Sequence, residues 1–127
     1  FGKQMKERGY GKIINVSSTR GSRACLGGNA SYCTTKGALD MLTRTAACDL
    51  GPEVCVNAIG PTNTVTPMME DLIKEHPEIL HLGDDKPLQR IGTVEDCMGP
   101  AVFLASHASD FMTGQIVYAD GGMTAIG

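Results

Sequence analysis

The sequence is poor in aromatic side chains, in long apolar segments and in clustered positive charge. It has no tryptophan among its 127 residues, and aromatic residues make up only 5% of it. No apolar run approaches the roughly 20 residues that a membrane-spanning helix needs. The net charge is −3, and the 11 Lys and Arg residues are scattered along the chain. We therefore expect neither a membrane nor a nucleic acid as a partner.

The cysteines form none of the patterns that bind metals or build a disulfide framework. Their number is odd, and no C-x-x-C pair occurs. This pattern predicts free thiols, no metal site and a reducing compartment, the cytoplasm. The three histidines are dispersed among polar residues, which favours surface positions over metal ligation. The five cysteines are Cys25, Cys33, Cys48, Cys55 and Cys97.

Short apolar runs alternate with helical patterns along the chain. The runs are bounded by turn residues, which is typical of buried strands, and the longer segments between them have helical periodicity. This order predicts one α/β domain whose parallel strands are joined by right-handed crossovers. The predicted strands are 13–16, 54–59 and 116–119, and the predicted helices are 31–50 and 93–106.

Each predicted helix carries a more specific expectation. In the second helix, Thr93 is expected to be the N-cap, with Asp96 at N3 in a weak form of the capping box. The segment 62–90, which precedes it, is mixed in character and predicts two short helices and a loop. The apolar residues of the long helix fall on one face, which we expect to be buried. They are Ala38, Leu39, Leu42, Ala46 and Leu50.

The polar loops that follow the strands are where we expect a functional site, because the ligand crevice of such a sheet lies beyond the carboxyl ends of its strands. Ser18 follows the first strand, where its hydroxyl can hydrogen-bond a carbonyl or hydroxyl group of a substrate. Thr66 leaves the second strand at the same edge. The alternative for Ser18 is a solvated turn serine or a mimic of a helix cap. The three loops are 17–31, 60–67 and 120–127.

Tyr32 and Lys36 begin the long helix and are separated by four positions. Residues at this spacing share a helix face. An ammonium group near a phenol stabilises the phenolate form, and a tyrosine so tuned is a competent general acid and base. The pair also occurs by chance in many helices, so its neighbours must support the assignment.

Five groups of motifs follow one another in the chain. They are N-V-S-S-x-x-G at 15–21, Y-C-T-T-K-G-A-L at 32–39, V-N-A-I-G-P at 56–61, P-L-Q-R-I-G with F-L-A-S at 87–106, and T-G-Q-I-V-Y-A-D-G-G at 113–122. In this order they resemble the short-chain dehydrogenases/reductases of the classical type, over essentially the whole chain. The stretch from Tyr32 looks closest to the carbonyl/L-xylulose reductase and sugar or gluconate dehydrogenase branches.

The resemblance implies the C-terminal half of a Rossmann-like, doubly wound parallel sheet with three strands and flanking helices. It implies an oxidoreductase that transfers a hydride between NAD or NADP and a small carbonyl compound or secondary alcohol, such as a sugar, polyol or oxo-acid. Tyr32 would be the general acid/base, Lys36 would assist it and bind the nicotinamide ribose, and Ser18 would hold the substrate oxygen. A homotetramer or homodimer is implied for the complete protein. The implied cofactor contacts are Tyr32, Lys36, Pro61, Thr62, Thr64 and Thr66.

Several positions depart from the family pattern. Ser18 lies fourteen residues before Tyr32, where the family usually has thirteen, so Thr19 is an alternative for holding the substrate oxygen. Thr62 and Thr64 replace a usual glycine and a usual isoleucine or valine. The glycine-rich turn T-G-x-x-x-G-x-G is absent. We therefore expect residues 1–127 to be a partial domain without the N-terminal cofactor-binding half.

Two other functions remain compatible with these motifs. One is a non-catalytic derivative of the family that keeps the fold for oligomerisation or binding. The other is an epimerase of the extended branch, which shares the Y-x-x-x-K motif. The intact Ser18, Tyr32 and Lys36 favour an oxidoreductase over the first. The D-G-G ending after the T-G-Q strand favours it over the second.

Overall fold

Three parallel strands, with helices packed against them, form the frame of the molecule, which a computed structural model describes over residues 1–25 and 27–126. Four short 3-10 helices connect the main elements. The helices are α1 (Gly2–Glu7), α2 (Ala30–Leu50), α3 (Glu70–Glu75) and α4 (Glu95–Ala105). The strands are β1 (Gly11–Val16), β2 (Val54–Pro61), β3 (Thr64–Val65), β4 (Gly92–Thr93) and β5 (Ile116–Ala119).

The main sheet has the order β1-β2-β5, and all its strands run parallel. The chain passes from β1 to β2 through α2 and from β2 to β5 through α4. In register, Val16 lies beside Ile59, and Pro61 lies beside Ala119. The carboxyl ends of the three strands therefore meet at one edge, and the predicted α/β class with three parallel strands is confirmed.

β2 is the centre of the sheet, and most of its residues are buried. Side chains two residues apart on a strand point to the same face, and Val54 and Val56 both pack against Ala47 of α2. α4 contacts all three strands of the sheet. None of the helices that the structure describes is both long enough and apolar enough to cross a bilayer. The core around these valines is completed by Met5, Ile13, Ala46 and Leu50.

The buried face of α2 differs from the predicted one. Its buried residues are Asp40, Thr43 and Ala47, whereas Leu42 is 57% exposed. Both polar residues make hydrogen bonds to β1 or to the residue that follows it: Asn15 Nδ2 donates to Thr43 Oγ1 at 2.9 Å, and the Ser17 hydroxyl donates to Asp40 Oδ1. Apolar periodicity alone misplaced the face because these bonds come from a distant strand.

The predicted cap of α4 is also wrong in its position. The helix begins at Glu95 with Val94 as N-cap, and Thr93 belongs to β4. Asp96 nevertheless accepts a hydrogen bond from the Thr93 backbone N–H at 2.8 Å, which is the bond expected of an N3 carboxylate. The segment 62–90 contains the two predicted short helical pieces, α3 and a 3-10 helix at Pro77–Gly83.

Candidate active site

The residues that we selected from the sequence converge on one cleft at the carboxyl edge of the sheet. The cleft has a volume of about 380 Å³, within the ~300–1,000 Å³ range of small-molecule sites. It lies between the end of β1, the first turns of α2 and the loop that follows β2. Ser18, Tyr32, Lys36, Pro61, Thr62, Thr64 and Thr66 all line it, together with Val16, Ser17, Val94 and Cys97.

Tyr32 and Lys36 lie on the face of α2 that borders this cleft. The Lys36 Nζ atom is 5.7 Å from the centroid of the Tyr32 ring. The same ammonium donates a hydrogen bond to the Val16 carbonyl at 2.8 Å, which fixes it against the end of β1. A lysine ammonium has three donor hydrogens, and this bond uses one of them. Tyr32 is 47% exposed, and both Tyr32 and Lys36 line the cleft.

Ser18 and Thr19 occupy different positions beside Tyr32. Both are buried, but only Ser18 lines the cleft that contains Lys36. Ser18 is the N-cap of the 3-10 helix Thr19–Gly21, and its Oγ accepts a hydrogen bond from the Arg20 backbone N–H at 3.2 Å. An accepting hydroxyl still has its own hydrogen to donate. Thr19 lines a smaller neighbouring cleft of about 210 Å³.

Asp40, which none of the sequence motifs indicated, connects this loop to α2. The residue is 2% exposed. Its Oδ1 accepts a short hydrogen bond from the Ser17 hydroxyl, and its Oδ2 has no hydrogen-bond partner among the described residues. A Cβ atom at Gly21 would lie 2.5 Å from Oδ2, so only glycine lets the loop approach so closely. The sequence could have indicated Asp40, because it lies one helical turn after Lys36 and therefore on the same face of the helix.

A second strand pair holds the loop Pro61–Thr66 at the other side of the cleft. Thr64 and Val65 pair in parallel with Gly92 and Thr93. Thr64 Oγ1 donates to the Thr62 carbonyl at 2.9 Å, so the loop is also braced internally. The sequence motifs did not predict this small sheet, because two-residue strands leave no periodicity to detect.

An ion pair between Arg90 and Asp96 adjoins the small sheet at Thr93. Arg90 donates to both oxygens of Asp96 at 2.7 Å, a bidentate arrangement that is stronger than a single bond. The hydrogen bond from Arg90, followed by that from the Thr93 backbone, holds the pKa of Asp96 well below its ordinary value. Asp96 therefore remains charged near neutral pH and links Arg90 to Thr93.

The turn after β5, at residues 120–124, lies beside the cleft and does not line it. Asp120 is buried, and its carboxylate accepts bonds from Gly122 N–H at 3.0 Å and from Thr124 N–H and Oγ1, each at 2.7 Å. Burial opposes the charge, but these hydrogen bonds lower the pKa of Asp120. Thr62 Oγ1 contacts Met123 Sδ at 3.0 Å, which connects the turn to the loop after β2. Gly127 and Leu26, which belong to the predicted loops, lie outside the described residues.

The polar side chains of the cleft carry hydroxyls, a phenol, an ammonium group and the Cys97 thiol, and Val16, Pro61 and Val94 add apolar surface. Within the described part of the chain, no group of three His, Cys, Asp or Glu residues could hold a metal ion. A phenol beside an ammonium can exchange a proton with a ligand, and the hydroxyls can orient the oxygen atoms of that ligand. These polar groups fit a ligand that carries several hydroxyl groups.

Several known proteins are similar to this chain in sequence and in three-dimensional structure. A family model described as enoyl-(acyl carrier protein) reductase matches residues 1–124. The L-xylulose reductase of Mus musculus is 41% identical over 125 residues, which cover 97% of this chain and 51% of that protein. The gluconate 5-dehydrogenase of Gluconobacter oxydans is 39% identical over 123 residues, which cover 96% of this chain and 48% of that protein.

A solved structure agrees with these relatives. The gluconate 5-dehydrogenase of Burkholderia cenocepacia J2315, in complex with NADP and tartrate, superposes with a TM-score of 0.85 and 34% identity. The match covers 98% of this chain and 49% of that one, and it confirms the Rossmann-like arrangement of strands and helices. The chain therefore spans about half the length of the relatives it matches.

Proposed function

The chain belongs to the short-chain dehydrogenase/reductase family, and we propose that the complete protein is an NAD(P)-dependent oxidoreductase. It transfers a hydride between the nicotinamide ring and a small carbonyl compound or secondary alcohol. The observation that carries the proposal is the cleft itself. Seven residues selected from separate sequence motifs, Ser18, Tyr32, Lys36, Pro61, Thr62, Thr64 and Thr66, line it together.

Tyr32 is the proton donor and acceptor in this proposal. In reduction its hydroxyl protonates the oxygen that becomes an alcohol, and in oxidation its phenolate accepts that proton. The Lys36 ammonium lies 5.7 Å from the centroid of the Tyr32 ring and places a positive charge beside the phenol. The bond from Lys36 to the Val16 carbonyl holds the ammonium in that position.

Ser18 orients the substrate oxygen toward Tyr32. Its oxygen accepts a bond from the Arg20 backbone N–H, and its own hydrogen is left to donate to a substrate carbonyl. Ser18 is proposed for this role in preference to Thr19 because Ser18 lines the cleft with Lys36 and Thr19 does not. The additional residue between Ser18 and Tyr32 is thus accommodated in the loop.

The donors of the cleft fit the nicotinamide and ribose end of the cofactor. Lys36 has ammonium hydrogens left for ribose hydroxyls, and Tyr32 offers a phenol beside them. Thr62, Thr64 and Thr66 present hydroxyl and backbone groups on the braced loop after Pro61, where the carboxamide is expected. When it is bound, the cofactor supplies the hydride, and the protein supplies orientation and proton transfer.

The proposed substrates are sugars, polyols or sugar acids, and the proposed cofactor is NAD or NADP. The support is the names of the relatives, an L-xylulose reductase and gluconate 5-dehydrogenases, one of them solved with NADP. We also propose a cytoplasmic location, because the five cysteines are free thiols, and a homodimer or homotetramer. The exposed Met41 and Leu42 on α2, 56% and 57% accessible, support a contact between subunits.

The test is the Tyr32→Phe variant of the complete protein, assayed with NADH and NADPH against a panel of ketoses and oxo-acids. The variant loses only the proton-transferring hydroxyl, so kcat should fall by roughly 10²–10⁴-fold. Tyr10→Phe is the matched control, because the Tyr10 hydroxyl bonds Asp110 at 3.2 Å, away from the cleft. Its kcat should stay within about twofold of the parent.

Two outcomes contradict the proposal. If Tyr32→Phe retains half of the parent turnover, Tyr32 is not the proton-transfer group. If the parent protein reduces nothing on the panel with either cofactor, the non-catalytic alternative replaces the oxidoreductase. Circular dichroism of each variant establishes that its fold is intact.

A further inference from the structure

Two cysteines meet beside Tyr32, although they come from different segments. Cys25 follows the 3-10 helix after β1, and Cys33 lies in the first turn of α2, next to Tyr32. Their sulfur atoms are 3.9 Å apart and share a weak hydrogen bond. Both side chains are only partly buried, so a small reagent can reach them. Among the described residues, no other pair of cysteine sulfurs is in such contact.

The loop between the two cysteines can accommodate a shorter distance. A disulfide needs its sulfur atoms about 2.05 Å apart, so the pair must approach by roughly 1.9 Å. Gly27 and Gly28 both have positive φ angles, +95° and +79°, a conformation that favours glycine. Among the described residues, a Cβ atom at Gly28 would have no neighbour within 4 Å. No described side chain therefore crowds Gly28 and resists a movement there.

We propose that Cys25 and Cys33 form an oxidation site, at which a peroxide converts the two thiols into an intrachain disulfide. The Cys25 thiolate attacks one peroxide oxygen, the O–O bond breaks, and the products are a sulfenic acid at Cys25 and water after protonation. The Cys33 sulfur then displaces the hydroxyl group from Cys25 as a second water. Overall, two thiols and one hydrogen peroxide give one disulfide and two waters.

The order of the two steps follows from the surroundings of Cys33. Burial, with the hydrogen bond to Cys25, raises the pKa of the Cys33 thiol. A raised pKa slows the reaction of a thiol with peroxide, so we assign Cys33 the second step, in which its proton leaves with the displaced hydroxyl group as water. Cys25, in the loop, is assigned the first reaction.

The disulfide acts on the site because it joins the loop to the turn that carries Tyr32. The Cys33 backbone N–H donates to the Asn29 carbonyl at 2.9 Å, and Asn29 lines the smaller cleft together with Ser18 and Tyr32. The loop that carries Cys25 begins with Ser18, so its movement toward Cys33 displaces Ser18 relative to Tyr32. This consequence, but not the disulfide, rests on the proposed function.

The experiment treats the reduced complete protein with hydrogen peroxide, alkylates the remaining thiols and digests the protein with trypsin. Cleavage after Arg23 and Lys36 places both cysteines in the single peptide 24–36, without any other cysteine. We expect this peptide to be unalkylated and lighter by two hydrogen atoms. Cys48, an exposed thiol on the same helix as Cys33, should remain alkylated. An alkylated peptide 24–36, or one linked to a second chain, overturns the proposal.

Turnover measured on the same samples tests the effect on Tyr32. The oxidised protein should lose at least about tenfold in kcat, since a displacement of ~1 Å at a reacting group can cost ~10²-fold. Dithiothreitol should restore it. Cys25→Ser should have normal turnover and resist peroxide, whereas Cys48→Ser should behave as the parent. If Cys25→Ser is still inactivated, another thiol is responsible, such as Cys97, which lines the main cleft, and the assigned effect is wrong.

The two proposals can fail separately. The peptide mass is read without any substrate, so it decides the oxidation site even if the complete protein shows no oxidoreductase activity. Conversely, an active protein whose peptide 24–36 stays alkylated retains the proposed function and loses the oxidation site.

Discussion

Replacing Asp40 should separate its hydrogen-bonding role from its charge. In Asp40→Ala, the buried Ser17 hydroxyl loses the carboxylate that accepts its bond. Its remaining contact is the Lys36 carbonyl at 3.5 Å, at the limit of hydrogen bonding. Leaving a buried polar group without its partner costs about 1–3 kcal/mol. We expect the free energy of unfolding to fall by that amount.

Asp40→Asn should be much milder. Its amide oxygen can still accept the bond from Ser17, and its NH₂ group takes the position of Oδ2, which has no partner among the described residues. No hydrogen bond is lost, so we expect a change below about 1 kcal/mol. Because Ser17 precedes Ser18, the alanine variant should also lower kcat, and the asparagine variant should restore most of it.

The assay is urea unfolding of the complete protein, followed by circular dichroism, with Asp49→Ala as the matched control. Asp49 is an exposed residue of the same helix, so its replacement should change stability by less than about 0.5 kcal/mol. The reasoning is refuted if Asp40→Ala is as stable as the parent, or if Asp40→Asn is as damaging as Asp40→Ala. Either result would mean that the bond to Ser17 does not hold the loop.

Two further predictions concern charge. Lys36→Met removes the ammonium that lies 5.7 Å from the centroid of the Tyr32 ring and donates to the Val16 carbonyl, so kcat of the complete protein should fall by at least about tenfold. An unchanged kcat with a raised KM for the cofactor would show that Lys36 serves only to bind ligand. Asp96→Asn should lower the melting temperature at pH 7. The hydrogen bond from Arg90 depresses the pKa of Asp96 below its unfolded-state value of about 3.8, so the bond stabilises the fold at any pH above that value. This stabilisation is lost as the pH falls below 3.8 toward the folded-state pKa, so the melting temperatures of parent and variant should become equal in acid. A difference between the two melting temperatures that stays constant with pH would contradict the stabilising ion pair.

Local patterns were sufficient for the elements that build the sheet. The runs at 13–16, 54–59 and 116–119 lie within β1, β2 and β5, because β-branched residues bounded by turn residues favour strands in any context. The i, i+4 spacing likewise places Tyr32 and Lys36 on one face of α2 wherever that helix packs. Loops that follow parallel strands meet at one edge, so the location of the cleft was predictable from strand order alone.

Contacts between distant segments decided the rest. Whether Asp40 and Thr43 are buried depends on Ser17 and Asn15, more than twenty residues away, and no helical period contains that information. The approach of Cys25 to Cys33 depends in the same way on the path of a glycine-containing loop. A buried polar group is stable only where another segment supplies its hydrogen-bond partner, and that partner exists only once the chain has folded.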